Sequence, residues 1–195
     1  GLMYSRHRGV RESGSSNILV FIDDDITVER DYLYNILNTF KEHDDVALVG
    51  GKVSPFFEIA PPSWINAFEV TREDTSMISF LSLINLGNSP RYISGDRVYG
   101  CNFSIKKETL LQCGGFNPDA FPPDMLKYRG DGEIELGRKV EKSGYKVFYN
   151  PDIIARHRIP ASRLTIEYFL KRAYIGGISW SFENVRKKGK SSTYV

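Results

Sequence analysis

The chain has 195 residues, of which 41% are hydrophobic and 26% are charged. This length and composition suit one ordinary globular domain. With 26 basic and 24 acidic residues the formal net charge is +2, so the chain lacks the basic excess of a nucleic-acid binder. It contains no apolar run of about 18 residues that would span a membrane, and its two cysteines are too few for a disulfide scaffold. These features favour a soluble intracellular protein.

The first part of the chain predicts a β-α-β unit. Residues 17–22 form a short apolar run, which is typical of a strand buried on both faces. Residues 31–43 place apolar side chains at helical spacing, and residues 46–49 form a second apolar run that ends in an exit turn at Gly50 and Gly51. A strand, a helix and a strand at this spacing predict an α/β architecture.

The remaining chain alternates helix and strand patterns after a loop-rich stretch at residues 54–97. The predicted elements are a strand at 98–105, helices at 107–112 and 133–142, a short edge strand at 145–149 and a helix at 165–182, with an interruption at its Gly-Gly pair. Together with the β-α-β unit, they predict a mixed, mostly parallel sheet flanked by helices.

Three adjacent carboxylates, Asp23, Asp24 and Asp25, follow the first predicted strand directly. The carboxyl end of a parallel strand faces the crevice in which α/β folds bind ligands. Mg²⁺ and Mn²⁺ take oxygen ligands and typically join carboxylates to substrate phosphates. The alternative is an N-terminal cap for the helix near Asp31, although a gap separates the triplet from that helix. We favour a metal and phosphate site.

A second acidic group, Asp131, Glu133 and Glu135, opens a predicted helix. Negative charge at a helix start is stabilising by about 0.3–1 kcal/mol, so a purely structural role is tenable. The glycines at 130 and 132 allow the backbone to approach a ligand closely, and a carboxylate held there could act as a general base. The residues alone leave both interpretations open.

Several single residues are ambiguous. His157 follows a predicted strand and lies between two arginines; such a histidine is more often a surface residue than a ligand, although it is compatible with the same crevice. Arg6 most simply belongs to a solvated basic face, and Arg163 could be solvated or meet phosphate. Cys101 and Cys113 are predicted to be small buried apolar residues.

Six segments, in this order and spacing, resemble the nucleotide-sugar glycosyltransferases of the family-two group, which have the GT-A fold. They are residues 5–9 (Ser-Arg-His-Arg-Gly), 21–25 (Phe-Ile-Asp-Asp-Asp), 49–52 (Val-Gly-Gly-Lys), 99–104 with 113–117 (Tyr-Gly-Cys-Asn-Phe-Ser and Cys-Gly-Gly-Phe-Asn), 130–136 (Gly-Asp-Gly-Glu-Ile-Glu-Leu) and 157–172. The resemblance implies that residues 1–160 are the metal and acceptor half of a GT-A catalytic domain, without the N-terminal βα units that family members normally have. Residues 161–195 would be an aromatic, basic helical tail.

The resemblance implies an inverting transfer from a nucleoside-diphosphate sugar, with a UDP-sugar favoured, to a hydroxyl of a saccharide or lipid-linked acceptor. Such a reaction would serve cell-envelope polysaccharide or glycolipid synthesis in a bacterium. Asp25 and His157 would hold a divalent metal, Mn²⁺ or Mg²⁺, against the diphosphate. Asp23, Asp24 and Arg6 would bind the nucleotide sugar.

On the acceptor side, the family pattern assigns the catalytic base to Glu133, with Asp131 as the alternative. Gly100 and Asn102 would belong to the acceptor-binding segment. The chain lacks the Gln-x-x-Arg-Trp motif of processive members, which favours transfer of a single sugar.

Two other function classes remain as alternatives. The first is a non-catalytic module derived from this fold that binds a sugar or a partner protein. The second is a nucleotidyltransferase, which would need a Gly-rich phosphate loop that does not precede the triplet. The expected location is the cytoplasm, with the tail from Tyr168 to Lys190 as an interfacial helix on the inner face of the membrane.

Overall fold

The computed structural model describes residues 2–117 and 132–188. Within these ranges the chain forms five α-helices and nine strands, and all nine strands belong to one sheet. The elements are α1 (Leu2–Glu12), β1 (Ile18–Ile22), β2 (Ile26–Val28), α2 (Tyr32–Glu42), β3 (Val46–Phe57), β4 (Val70–Arg72), β5 (Thr75–Ile78), β6 (Leu83–Leu86), β7 (Arg91–Ile93), β8 (Asn102–Lys106), α3 (Lys107–Gln112), α4 (Gly132–Lys142), β9 (Lys146–Ile159) and α5 (Ile166–Lys188). Two short 3₁₀ turns, Ser63–Phe68 and Ala161–Arg163, precede β4 and α5.

The predicted β-α-β unit is present as β1, α2 and β3. Helix α2 buries Ile36 and Phe40 one turn apart, and both pack against Val49 of β3 and Phe148 of β9. Full burial of an apolar side chain of this size stabilises the fold by roughly 1.5–3 kcal/mol, so this stripe holds α2 on the sheet. The helix thereby fixes the chain that follows β1, which is where the acidic triplet lies.

The prediction of a mostly parallel sheet is wrong for the described residues. Among the strands of the described ranges, only the long central pair, β3 and β9, runs parallel. The other edge of β3 pairs with β8 and β6, and the other edge of β9 pairs with β7 and β2, all antiparallel. Strands β1 and β3 are not neighbours, because β8 lies between them and is antiparallel to both. An apolar run indicates burial but does not identify the neighbouring strand.

Two predicted strand ends are also wrong. Gly50 and Gly51 do not form an exit turn, because β3 continues to Phe57 and pairs these glycines with Tyr149 and Asn150 of β9. Strand β9 is likewise no short edge strand: it extends to Ile159, with β3 along one edge and β7 and β2 along the other. The register of β3 and β9 shifts after Asn150, and this irregularity accommodates the proline at 151 inside the strand.

The stretch at residues 54–97, expected to be loop-rich, contains four short strands, β4 to β7. Each has only three or four residues, which is too short to show an alternating pattern. The strand predicted at 98–105 begins later, at Asn102. The helix predicted at 165–182 is longer and continuous across Gly176 and Gly177. None of the helices described in residues 2–117 and 132–188 is long and apolar enough to cross a bilayer.

Helices α3 and α4 are confirmed. After α3 the N–H groups of Gly114 and Gly115 donate to carbonyls of its last turn, and both glycines have positive φ, as the predicted cap requires. Helix α4 buries Leu136 and Val140 in the core shared by β3 and β8. The division of the chain at residue 160 stays a prediction.

The backbone of α4 touches the turn before β8. A Cβ built on Gly137 would collide with the carbonyl of Gly95, and a Cβ on Gly95 would collide with the backbone of Gly137. This close approach brings the first turn of α4 to the strand ends that carry the candidate site.

Candidate functional site

The sheet brings the acidic triplet to the end of β9. The triplet follows β1 directly, and β2 begins at once with Ile26, which pairs with His157. The N–H of Arg158 donates to the carbonyl of Asp25 at 2.9 Å, so the backbone holds the triplet against β9. Two residues that are far apart in the sequence, Asp25 and His157, therefore face each other.

A compact polar cluster joins Asp25, His157 and Arg163. Oδ2 of Asp25 lies 3.3 Å from Nε2 of His157. The guanidinium of Arg163 contacts both atoms, with Nη2 at 2.8 Å from the carboxylate oxygen and Nη1 at 2.7 Å from the imidazole nitrogen. The other ring nitrogen, Nδ1, lies 2.9 Å from the carbonyl of Leu81. The sequence showed Arg163 only as a basic residue near His157, with no local signal that these two side chains meet.

The chemistry of this cluster fits a divalent cation. A carboxylate oxygen and an imidazole nitrogen are common metal ligands, and a ligating histidine usually donates its other N–H to a carbonyl, as His157 can to Leu81. Oδ1 of Asp25 is buried and has no hydrogen-bond partner. Within the described residues no three His, Cys, Asp or Glu side chains converge on one point. A cation held by this pair would therefore take its remaining ligands from a substrate diphosphate and water.

The second cluster is centred on Arg6. Only 7% of this residue is exposed, so its assignment to a solvated face is wrong. Its guanidinium lies 5.4 Å from the ring centre of Phe116 and donates to the carbonyl of Gly100 at 2.9 Å. It also forms ion pairs with Asp23 at 3.9 Å and with Glu133 at 3.5 Å. Arg6 thus connects the triplet to the first turn of α4.

Glu133 is held from two sides. The N–H of Gly100 donates to its Oε1 at 3.2 Å, and Arg6 faces its Oε2. A quarter of the Glu133 side chain remains exposed, so the carboxylate is reachable from solvent. Gly100 allows this approach because a Cβ there would lie 2.6 Å from Oε1 of Glu133 and 2.8 Å from the Arg6 guanidinium.

Burial and neighbouring charges shift the pKa values of two side chains at the site. Burial raises the pKa of Asp23, and the carboxylates of Asp25 and Glu133 act in the same direction against the opposing charge of Arg6. Burial also raises the pKa of the Cys101 thiol to about 12, with a further contribution from Asp23. The thiol of Cys101 is therefore a neutral buried group, as predicted. Cys113 is also a free thiol but only half-buried.

The other predicted site residues differ in their surroundings. Asp24 is exposed, and Asp131 lies outside the described residues. Asn102 is only 1% exposed: its Oδ1 accepts from the Tyr32 hydroxyl at 2.7 Å, and its Nδ2 donates to the carbonyls of Lys52 and Ile153. Its amide therefore joins β8 to α2, β3 and β9 beneath the site, whereas Gly100 lies at the site itself.

Comparison with known proteins identifies the family. The model of glycosyl transferase family group 2 matches residues 18–192. The chain belongs to this family. Among curated proteins it is 25% identical, over 185 residues, to a glucosyl-dolichyl phosphate glucuronosyltransferase of Haloferax volcanii. The match covers 92% of this chain and 54% of that protein, so the chain spans about half the length of the curated relative.

A solved structure gives the fold. The chain superposes on GalNAc-T7, crystallised with UDP, GalNAc and Mn²⁺, with a TM-score of 0.55 and 14% identity. The superposition covers 89% of this chain and 34% of GalNAc-T7. The α/β GT-A fold expected from the sequence motifs is confirmed, and so is the family. The roles of the individual site residues stay predictions.

Proposed function

We propose that this glycosyltransferase transfers one sugar, with inversion, from a nucleoside-diphosphate sugar to an acceptor hydroxyl, with the aid of a divalent cation. The observation that carries the proposal is the link between the two clusters. Arg6 lies between Asp23, in the same triplet as the candidate metal ligand, and Glu133, the candidate base. A donor bound at the triplet would therefore have a carboxylate beside it on α4.

On the donor side, Asp25 and His157 would hold Mn²⁺ or Mg²⁺. When bound, the cation would neutralise negative charge on the diphosphate leaving group. Asp23 would contact the nucleotide through the 36% of its side chain that is exposed, and Asp24 has an exposed side chain that can do the same. Arg6 would keep the Asp23 carboxylate in place, since the guanidinium is itself fixed by the carbonyl of Gly100. A UDP-sugar is the favoured donor.

On the acceptor side, Glu133 would accept the proton of the acceptor hydroxyl. The hydroxyl oxygen then forms a bond to the anomeric carbon, while the bond from that carbon to the diphosphate oxygen breaks and the nucleoside diphosphate departs. Attack opposite the leaving group inverts the anomeric carbon. The N–H of Gly100 orients the carboxylate of Glu133 for this role. Asp131 remains the alternative base.

The donor half of this proposal is tested by calorimetric titration of the chain with UDP, with and without Mn²⁺. We expect binding that depends on Mn²⁺ and is lost in Asp25→Asn. The matched control is Asp44→Asn, which removes an exposed aspartate in the turn after α2 and should bind as the wild type does. Absence of UDP binding with or without Mn²⁺ would contradict the proposal and favour a non-catalytic sugar- or partner-binding module.

We also propose that the acceptor is a saccharide or a lipid-linked group and that α5 contacts the membrane surface on its cytoplasmic face. The relative in Haloferax volcanii carries dolichyl phosphate in its name. Helix α5 exposes Ile166, Leu170 and Tyr174, four residues apart, with 60–69% of each exposed, and Trp180 further along. Lys171 lies next to this row. An apolar row with basic neighbours is typical of a helix that lies in the membrane interface.

Co-sedimentation with anionic phospholipid vesicles tests the membrane contact. The wild type should co-sediment, and Leu170→Glu should not. The control is Leu37→Glu, which places the same charge at an exposed leucine on α2, away from α5. Equal loss of binding in both variants, or no binding by the wild type, would rule out α5 as the contact.

A further inference from the structure

We propose that Arg163 is an internal counter-cation of the metal site: its guanidinium occupies the place of the divalent ion, and metal binding must displace it. This inference rests on the proposed metal site. It adds that the affinity for the ion is set by an exchange of one cation for another.

The contacts of His157 are compatible with one tautomer of a neutral imidazole. A guanidinium has only N–H donors, so the nitrogen that contacts Arg163 at 2.7 Å, Nε2, must be an acceptor. The proton of the neutral ring then resides on Nδ1 and is donated to the carbonyl of Leu81. Nε2 of His157 and Oδ2 of Asp25 are therefore two lone-pair atoms only 3.3 Å apart, with no proton between them.

Two acceptors at this distance need a positive group beside them, and Arg163 supplies it to both. A divalent ion would use the same two lone pairs. Because one lone pair cannot serve both cations, binding of the ion and the double contact of Arg163 exclude each other. The second carboxylate oxygen of Asp25 also favours the ion over Arg163. This buried Oδ1 has no hydrogen-bond partner and could coordinate the ion.

The surroundings show which group can move. The side chain of His157 is 4% exposed, and its ring is tied to Leu81. Asp25 is held through its own carbonyl by the N–H of Arg158. Arg163, in contrast, has 30% of its side chain exposed and lies at the end of the 3₁₀ turn between β9 and α5. Its side chain can turn into solvent while the two ligands stay in place.

The test uses Mn²⁺ alone, titrated into the full chain, with free Mn²⁺ measured by electron paramagnetic resonance. Arg163→Gln removes the competing charge and should tighten Mn²⁺ binding by about tenfold or more. Arg163→Lys keeps the charge and should remain closer to the wild type. The control is Arg156→Gln, on β9 beside His157, where the guanidinium pairs with Glu29 and is largely exposed; it should leave the affinity unchanged.

A comparison of the single variants Asp25→Asn and Arg163→Gln separates this inference from the proposed metal site. If Arg163→Gln binds Mn²⁺ no tighter than the wild type, while Asp25→Asn abolishes binding, the metal site stands and the counter-cation role is wrong. If neither the wild type nor Arg163→Gln binds Mn²⁺, both ideas fail. Thermal unfolding of each variant establishes that it is folded.

A second readout follows the guanidinium itself. The ¹⁵N–¹H signal of the Arg163 side chain is assigned by its disappearance in Arg163→Lys. Saturation with diamagnetic Mg²⁺ should shift this signal and speed the exchange of its proton with water. A signal that stays unchanged when Mg²⁺ is bound would overturn the proposal.

Discussion

The backbone N–H of Gly100 donates a hydrogen bond of 3.2 Å to the carboxylate of Glu133, across 33 residues of chain. This contact fastens the loop before β8 to the first turn of α4. The partner of the candidate base is thus a backbone group, whose position does not depend on the rotamer of any side chain in the loop. The position of the carboxylate consequently depends on the absence of a side chain at residue 100.

Gly100→Ala should therefore impair catalysis more than stability. The new Cβ would meet the ends of the Glu133 and Arg6 side chains, which can retreat without moving the backbone. We expect the rate of sugar transfer to fall about 10- to 100-fold, because small displacements of a catalytic group are costly. A transfer assay together with thermal unfolding measures both effects.

Gly176→Ala is the control for this substitution. Gly176 lies within α5, and beyond the backbone of its own helix no atom lies within 4 Å of an added Cβ, so alanine there should leave transfer unchanged. Wild-type activity in Gly100→Ala would show that the contact does not position the base.

Glu133→Gln tests the base directly. Glutamine keeps the size of the side chain and an oxygen that can accept from Gly100, but it cannot take up a proton at neutral pH. We expect UDP binding to persist and transfer to fall by about 10²- to 10⁴-fold. Glu141→Gln, at an exposed position of the same helix, should transfer normally. Near-normal turnover in Glu133→Gln would shift the assignment to Asp131.

Asn102 should matter first for stability. Its amide donates to two carbonyls, so Asn102→Asp would place a buried carboxylate against two acceptors. We expect a loss of about 3–5 kcal/mol in the free energy of unfolding, as for an uncompensated buried charge. Tyr32→Phe removes only one hydrogen bond to the same amide and should cost about 1 kcal/mol. Urea unfolding measures both; equal small losses would argue against this role for Asn102.

Cys101 should make the protein less stable in alkaline solution. Burial raises its pKa to about 12, whereas a thiol in the unfolded chain has a pKa of about 8.5. Above that value the unfolded chain loses a proton that the folded chain keeps, so stability falls as the pH rises. Between pH 8 and 10 the wild type should lose about 1–2 kcal/mol more than Cys101→Ala. Urea unfolding at the two pH values gives this difference, and parallel losses would contradict it.

The local sequence was sufficient for α2, α3 and α4 and for the first β-α-β unit, whereas α1 was not predicted and α5 was predicted too short. Helix α2 follows from apolar side chains at helical spacing, and the end of α3 follows from the glycines at 114 and 115. The order of strands does not follow from such patterns. The insertion of β8 between β1 and β3 depends on which edges meet in three dimensions. Strands of three residues, such as β4, are too short to show a period.

The candidate site shows the same limit. The triplet and the acidic start of α4 are visible as clusters of like charge, which the sequence displays directly. The partners of these acids are not visible, because Arg6 and Arg163 are remote in sequence and each resembles a solvated arginine. Arg6 is buried between the ring of Phe116, the carbonyl of Gly100 and its two acidic partners. Side chains that neutralise a site from other elements require the tertiary structure to be recognised.

The contact between Gly95 and Gly137 has a consequence for redesign of this domain. The two backbones are in direct contact there. A residue larger than glycine at either position would prevent α4 and the loop before β8 from lying this close together. A methyl group at either position would collide with the facing backbone, so the loop or α4, which carries Glu133, would have to shift. A graded series of substitutions at Gly137 would thus vary the distance between α4 and the loop before β8 without replacing any of the candidate site residues.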